Sequence, residues 1–328
     1  MGRQQVPRQV QQAGHVSVQL TNGAQPPASR SLGFTEAQAV GIEGRAGKAV
    51  QLGTYANPTT ITATALEALD STTATTDWQH QAFGATGGFP AAIALHAGRL
   101  WMAGSSRLPS HMFGSQIGLY FNFDVGTGED DEAINAPLNQ SQINQIKHLI
   151  SGTHLQVFTD KANLYVSETD TRPITPSSFN VRSSTPYGLN NVRPQVFDQA
   201  TLFAQKNGTI LRKFRWQDSI NGYTADPVSL ASTSLLTSIK QFAVNYGGLE
   251  GPEQMVYIVN HDGTIALYHS VESENINGLF KWTTEGDWLS VAVANDRVYT
   301  VAKRSVDGTD RFYLEEVSNK YTLDACIE

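Results

Sequence analysis

A repeated hairpin pattern is the feature of this sequence that most limits its possible folds. Each copy has an apolar strand, a short polar turn and a second apolar strand, and successive copies begin 43 to 53 residues apart. Asn-Gly and Asp-Gly, which occupy the turns of three copies, are strong hairpin signals because type I′ turns need positive φ at both central positions. The copies span residues 155–166, 201–211, 255–268 and 297–314, and residues 100–103 are expected to open an earlier one.

The spacing of the hairpins predicts an all-β fold. Hairpins that recur every ~40–50 residues are typical of a β-propeller, in which each blade buries its faces against its neighbours. We therefore expect a propeller over residues 81–328 and a small β-rich or irregular N-terminal segment over residues 1–80. A β-sandwich is the alternative, since it also has alternating strands with regular turns. Within the N-terminal segment, residues 15–20 alternate like a strand and residues 34–42 could form a short helix.

Composition excludes several functional classes. Charged residues make up 16% of the 328 residues and the net charge is -7, whereas an average globular protein has roughly 25% charged residues. Proteins that hold DNA through its phosphates usually carry a basic surplus, so tight DNA binding is not expected. The single cysteine, Cys326, permits neither an internal disulfide nor a zinc site of several thiolates. We expect synthesis in the cytoplasm and no membrane-spanning segment, because neither a secretory signal nor a long apolar stretch is present. No cofactor is expected.

Motifs that could carry catalysis fail in detail. Residues 41–49 are similar to a phosphate loop, but the glycine spacing is one residue too long and alanine replaces the magnesium-binding Ser or Thr. Residues 114–118 have glutamine where a nucleophile elbow needs serine. The histidines include no zinc-protease pair, and His96 and His154 fall in strand patterns, where a structural hydrogen bond is expected. The sequence therefore predicts no enzymatic activity.

A run of four acidic residues is the remaining candidate site. It consists of Glu129, Asp130, Asp131 and Glu132. Close carboxylates can bind Ca²⁺ or act as a general acid and base. The alternation of a calcium loop is absent, however, since four successive acids point in different directions. A solvated loop is the alternative interpretation.

Segments in a fixed chain order carry a resemblance to a known family. They are residues 89–104 (FPAAIALHAGRLWMAG), 120–123 (YFNF), 130–134 (DDEAI), 146–167 around Phe158-Thr159, 174–179 (ITPSSF), 185–188 (TPYG), 216–223, 256–267 and Trp282. Together they resemble the tail nozzle proteins of short-tailed, podovirus-type bacteriophages, also called tail tubular protein B. No single segment is specific, but the ordered series over about 230 residues is.

The resemblance implies a structural, propeller-bearing protein of the virion tail. Six copies would form a ring below the portal and adaptor proteins and continue the DNA channel, with tail fibres or tail tip proteins as further partners. DNA would pass without tight binding, and the acidic residues 129–132 would face the lumen or a subunit interface. Two other functions stay open: a propeller module that binds host glycan or a tail fibre, and a tail-associated hydrolase. For the binding module, exposed tryptophans among Trp101, Trp216, Trp282 and Trp288 would be favourable.

Overall fold

A computed structural model describes most of the chain. It covers residues 82–84, 87–138, 144–168, 173–247, 254–271 and 276–318 in full, together with the backbone of five preceding strands. The described residues form strands, loops and two short 3₁₀ helices, Asp218–Ile220 and Leu230–Leu235. The predicted all-β fold class is therefore confirmed. Within this described part, no closed barrel or propeller is identified.

The N-terminal segment contains one antiparallel sheet of five strands in the order β1-β4-β3-β2-β5. The predicted strand at residues 15–20 is confirmed, but the short helix expected at residues 34–42 is wrong over its last four residues, which form β2 and pair with β3. The bounds are β1 (His15–Gln19), β2 (Ala39–Ile42), β3 (Lys48–Asn57), β4 (Thr60–Ala65) and β5 (Gln79–His80). In the segment similar to a phosphate loop, residues 41–42 end β2 and residues 48–49 begin the paired strand β3, while residues 43–47 lie outside the described part of the chain.

Successive antiparallel strands follow along the rest of the chain, and the sheets are meanders of sequential strands. First come β6 (Ala92–His96), β7 (Arg99–Ala103), β8 (His111–Gly114) and β9 (Ile134–Pro137), of which β7, β8 and β9 pair in sequence. The second sheet has β10 (Ile146–Ser151), β11 (Leu155–Thr159), β12 (Asn163–Val166) and β13 (Val181–Thr185). The third has β14 (Gln195–Phe197), β15 (Ala200–Ala204), β16 (Leu211–Gln217) and β17 (Gly222–Pro227). The fourth has β18 (Ile239–Asn245), β19 (Met255–Asn260), β20 (Ile265–Val271) and β21 (Ile276–Trp282), and the last has β22 (Asp287–Ala294), β23 (Arg297–Val306) and β24 (Thr309–Val317).

The predicted hairpins are adjacent strands inside these sheets. They correspond to the pairs β11–β12, β15–β16, β19–β20 and β23–β24. Strands β11, β12 and β15 are buried along their whole length, whereas β21 and β24 are mostly exposed. A strand covered on both faces needs an unbroken apolar run. This is why the inner hairpins are visible in the sequence.

Aromatic and aliphatic side chains fill the space between consecutive sheets. Phe158 of the second sheet lies with its ring centroid 5.5 Å from both Phe203 and Phe214 of the third. Phe197 of the third sheet lies 5.7 Å from Tyr268 of the fourth. A further apolar cluster joins the fourth sheet to the last. The core is therefore a series of layers, each shared by two sheets that follow one another in the chain.

Hairpin turns also bind the next sheet through the backbone. The carbonyl oxygen of Gly208 accepts a hydrogen bond of 2.7 Å from the N–H of Ile239, the first residue of β18. The carbonyl oxygen of Gly263 accepts one of 2.9 Å from Trp288 in β22. Both glycines have left-handed backbone, with φ of 74° and 80°, which a residue with a Cβ adopts only at a cost. The predicted type I′ geometry needs positive φ at both central residues, and of the three predicted turns only Asp307-Gly308 has it.

The same irregularity recurs at the beginning of three sheets. The strand register shifts within the first residues of β10, β18 and β22, at Lys147, Lys240 and Leu289. Such a bulge inserts one residue and bends the strand. The Lys240 ammonium donates a hydrogen bond of 2.8 Å to the carbonyl of Leu289 in the next sheet. The repeat is thus present in the backbone irregularities as well as in the hairpins.

The chain divides into two compact units. One contains Met1–Pro90, Ala97–Pro137 and Thr175–Ser178, and the other contains Ala91–His96, Leu138–Ile174 and Phe179–Glu328. The proposed boundary between residues 1–80 and 81–328 stays a prediction. No helix among the described residues is long and apolar enough to span a membrane.

Candidate functional sites

The acidic run lies in the loop between β8 and β9, where a buried arginine fixes the backbone. Arg99 of β7 is fully buried, and one guanidinium nitrogen donates to the carbonyl oxygens of Ser115 at 2.7 Å and Glu132 at 2.5 Å. The other terminal nitrogen donates to the carbonyl oxygen of Asp130 at 2.8 Å. Burial lowers the pKa of Arg99, and the nearby carboxylate of Asp131 opposes part of that shift. A longer contact of 3.5 Å runs to the carbonyl oxygen of Asp131. Because a guanidinium has several donors in a rigid plane, one side chain can hold these four carbonyls in place.

The carboxylates of the loop do not converge. Glu132 turns back on its own loop and accepts hydrogen bonds from the N–H groups of Gly128 and Glu129 at 2.5 and 2.7 Å. Glu129, Asp130 and Asp131 are exposed. Among the residues that the structure describes, no group of three or more potential ligands could hold a metal ion. The loop is therefore a fixed backbone that presents three carboxylates to solvent, and its place in a lumen or an interface stays a prediction.

The segment 114–118 and the candidate tryptophans are packed against neighbouring residues rather than presented to a ligand. Gly114 of the 114–118 segment lies against the ring of Trp101, and an added Cβ there would approach the ring to 3.0 Å. Trp101 and Trp288 are buried, and Trp216 and Trp282 are half-buried. None of the four candidate tryptophans is thus fully exposed for stacking on a ligand.

A cavity is present in the larger unit, on a wall made by first strands of successive sheets. Its volume is about 500 Å³, and it is open to solvent rather than enclosed. Strands β6 and β10 lie side by side there. Apolar and polar side chains line it: Ile93, Ala94, Leu95, Leu149, Ile150, Ser151, Arg193, Pro194, Gln195, Val196 and Tyr246. Arg193 is the charged member of this lining, and Ile93 and Leu95 are 58% and 60% exposed.

At the edge of this cavity, three polar side chains form a connected chain. His96, at the end of β6, is buried, and its Nδ1 lies 2.8 Å from the hydroxyl oxygen of Ser151 at the end of β10. Its Nε2 lies 2.5 Å from a carboxylate oxygen of Glu168, which follows β12. Ser151 itself is exposed and lines the cavity. An ionised carboxylate only accepts hydrogen bonds, so Nε2 carries a proton. In the neutral imidazole Nδ1 then accepts from the Ser151 hydroxyl, and in the imidazolium it donates to the hydroxyl oxygen.

A second histidine, near the hydrogen-bonded group of Ser151, His96 and Glu168, has a different environment. His154 is buried, its Nδ1 lies 3.2 Å from the hydroxyl oxygen of Tyr223, and its ring centroid is 4.4 Å from that of Trp216. Burial lowers the pKa of His154, and the carboxylate of Glu168 opposes that shift. His96 and His154 are both hydrogen-bonded, as expected. The strand position expected for His154 is wrong, because this residue lies in the turn between β10 and β11. His154 lies among aromatic rings, whereas His96 is bonded to a side chain that lines the cavity.

Sequence reasoning missed the association of Ser151, His96 and Glu168. Their positions in the chain are 55 and 72 residues apart when measured from His96. Each follows or ends a strand, but only the pairing of β10 through β12 and the position of β6 beside β10 bring them together. The one available signal was a polar residue at the end of each of these strands.

Comparisons with known proteins add no family assignment. No protein-family model matches this chain, and no curated protein is similar enough to establish a relationship.

Proposed function

We propose that this protein is a structural subunit of a bacteriophage tail nozzle. In this proposal six copies form a closed ring that continues the DNA channel below the portal and adaptor proteins. The observation that supports it most directly is the series of meander sheets packed in chain order. The ordered resemblance between residues 89 and 317 supplies the specific role.

The finer fold that we propose for these sheets is a β-propeller. First strands lie beside one another in the pairs β6–β10, β14–β18 and β18–β22. In a propeller the first strand of each blade faces the central channel, and each blade packs on the next. The recurrent bulges in first strands and the hydrogen bonds from hairpin turns to the following sheet are consistent with that repetition.

The acidic loop suits a channel or an interface. A channel that lets DNA pass should repel phosphates rather than bind them. Exposed carboxylates on a fixed loop would repel phosphates. Glu129, Asp130 and Asp131 are such carboxylates. Low overall charge also suits a surface that neighbouring subunits cover. The role needs no catalytic step and no cofactor, and it places the protein in the virion tail after synthesis in the host cytoplasm.

Oligomeric mass is the first test of this role. We expect native mass spectrometry of the purified chain, alone or with its adaptor protein, to detect a closed six-subunit species. A triple change of Glu129, Asp130 and Asp131 to lysine should lower particle infectivity or block assembly, whereas Glu285→Lys, at an exposed position in another loop, should not. A chain that stays monomeric with its adaptor, or normal titre of the triple variant, would contradict the proposal.

A binding module is the second candidate, because one specific observation favours it. Phe89 and Phe121 are 72% and 93% exposed in the smaller unit. Large exposed aromatic side chains are typical of surfaces that contact a partner. Loss of tail-fibre or glycan binding in a Phe121→Ser variant that still assembles would favour this function over the ring.

A further inference from the structure

We propose that Ser151 is an activated nucleophile, with His96 as its general base and Glu168 as the positioning residue, in a site that hydrolyses carboxylic esters of small aliphatic acids. This inference is independent of the nozzle role. It rests on the hydrogen bonds that link Ser151 in the cavity wall to the buried His96 imidazole and, through it, to the partly buried Glu168 carboxylate.

The geometry is that of a nucleophile with its base and an orienting group. A serine hydroxyl is a weak nucleophile unless an adjacent base accepts its proton, and the base must itself be held in the correct tautomer. The distances of 2.8 Å and 2.5 Å on either side of the His96 ring satisfy both requirements. The two ring nitrogens are exchanged relative to serine proteases, in which Nε2 faces the serine. The roles are unchanged, because the carboxylate still fixes the proton on the far nitrogen.

Burial makes the arrangement more than a surface contact. The side chains of His96 and Glu168 are 7% and 18% exposed, so water competes weakly with their hydrogen bond. Ser151 is exposed at the cavity, where a substrate could reach it. If the hydrogen bond between Ser151 and His96 were purely structural, the Ser151 hydroxyl would not need to line a cavity.

The cavity lining indicates the class of substrate. Ile93, Leu95 and Val196 offer apolar contacts to an acyl chain, and all three are exposed beside Ser151. Arg193 supplies a positive charge on the same wall, which would stabilise negative charge that develops on the carbonyl oxygen. The open cavity of about 500 Å³ leaves room for a short acyl group beside Ser151.

The chemical step balances without any further reactant except water. The Ser151 oxygen bonds to the acyl carbon as its proton moves to Nδ1 of His96, and the ester C–O bond breaks as that proton passes to the departing alkoxide. Water then attacks the acyl-serine and gives its proton to His96. The acyl–serine bond breaks, the proton returns to Ser151, and a carboxylic acid leaves.

Active-site labelling tests the nucleophile directly. We expect a fluorophosphonate probe to label the full-length protein at Ser151, located by peptide mass spectrometry, and Ser151→Ala to lose that label. Ser183→Ala is the matched control, because Ser183 is an exposed strand residue outside the cavity lining. No label at Ser151 in the unaltered protein, or equal labelling of Ser151→Ala, would overturn the proposal.

Turnover of p-nitrophenyl acetate and butyrate tests the roles of the other two residues. We expect His96→Gln to lower turnover by roughly 100-fold or more, the usual loss when a general base is removed. Glu168→Gln should lower turnover by roughly 10⁴-fold, because the amide favours the wrong imidazole tautomer. Glu168→Asp should recover part of that loss, which a merely structural contribution would not do. Labelling of Ser151 without turnover of either ester would support the nucleophile and overturn the hydrolytic step.

Discussion

Two glycines in matching Asp-Gly turns offer a test of how the sheets are joined. Gly263 lies in the turn between β19 and β20 and touches the next sheet, whereas Gly308 lies in the turn between β23 and β24 of the last described sheet. Their φ angles are similar, at 80° and 71°. An alanine at either position therefore meets the same backbone strain, and only Gly263→Ala also meets a neighbouring sheet.

The structure sets the size of the difference. An added Cβ at Gly308 has no heavy atom within 4 Å, so Gly308→Ala should cost only the left-handed strain, about 1 kcal/mol. At Gly263 the Cβ would lie 2.7 Å from the Cβ of Asp287 and 2.4 Å from one of its carboxylate oxygens. Relieving that overlap must shift β22 or the turn, which adds about 1–3 kcal/mol. Gly263→Ala should thus destabilise the protein by about 2–4 kcal/mol.

Urea unfolding of both variants and of the unaltered protein measures this. We expect a lower midpoint for Gly263→Ala than for Gly308→Ala, with unchanged slopes. The double variant Gly263→Ala, Asp287→Gly should recover part of the loss, since it removes the atoms that overlap. If the two single variants agree within about 0.5 kcal/mol, the turn does not dock on the next sheet as described.

Three further predictions concern other parts of the chain. Arg99→Gln should lower the free energy of unfolding by about 3 kcal/mol or more, because four carbonyls lose a charged donor. The exposed control Arg107→Gln should change it by less than about 0.5 kcal/mol, and equal effects in urea unfolding would contradict the role of Arg99. Because burial lowers the pKa of His154 in the folded state, the unfolded chain binds more protons, and stability should fall as pH drops below about 6.5. His154→Phe should reduce the loss of unfolding free energy between pH 7.5 and pH 5.5. An equal loss in the variant and the unaltered protein would refute this prediction. Phe158→Ala should cost about 3–5 kcal/mol by opening the layer between two sheets, against little for exposed Phe312→Ala, as thermal unfolding would show.

The sequence predicted the inner hairpins because burial on both faces requires apolar runs. Strand β15 is buried throughout, and its run Ala200–Ala204 is apolar apart from one threonine. Outer strands have no such requirement. Strand β13, with the sequence VRSST, and strand β21, with INGLFKW, are largely exposed and show no comparable pattern. In the second, third and fourth sheets, only the two inner strands of four were therefore predicted. The last hairpin includes the exposed outer strand β24, and its Asp307-Gly308 turn supplied the signal there.

The two candidate sites also differ in how far the sequence could predict them. The acidic run could be located from four adjacent letters, but the buried arginine that fixes it stands at the beginning of β7, far from it in the chain. The chain of Ser151, His96 and Glu168 has no local signature at all. Its members come together only because β6 lies beside β10 and the second sheet pairs in sequence. Residues brought together by strand order cannot be found from spacing alone.

Imaging the assembled protein by electron microscopy tests the central proposal most directly. The purified chain bound to its adaptor, or the tail that contains it, should contain a six-fold ring with an open central channel. Each subunit should show meander sheets packed in chain order, with the loop of Glu129, Asp130 and Asp131 facing the channel or a neighbouring subunit. A monomer, a ring without a channel, or a subunit placed on the outside of the tail would contradict it.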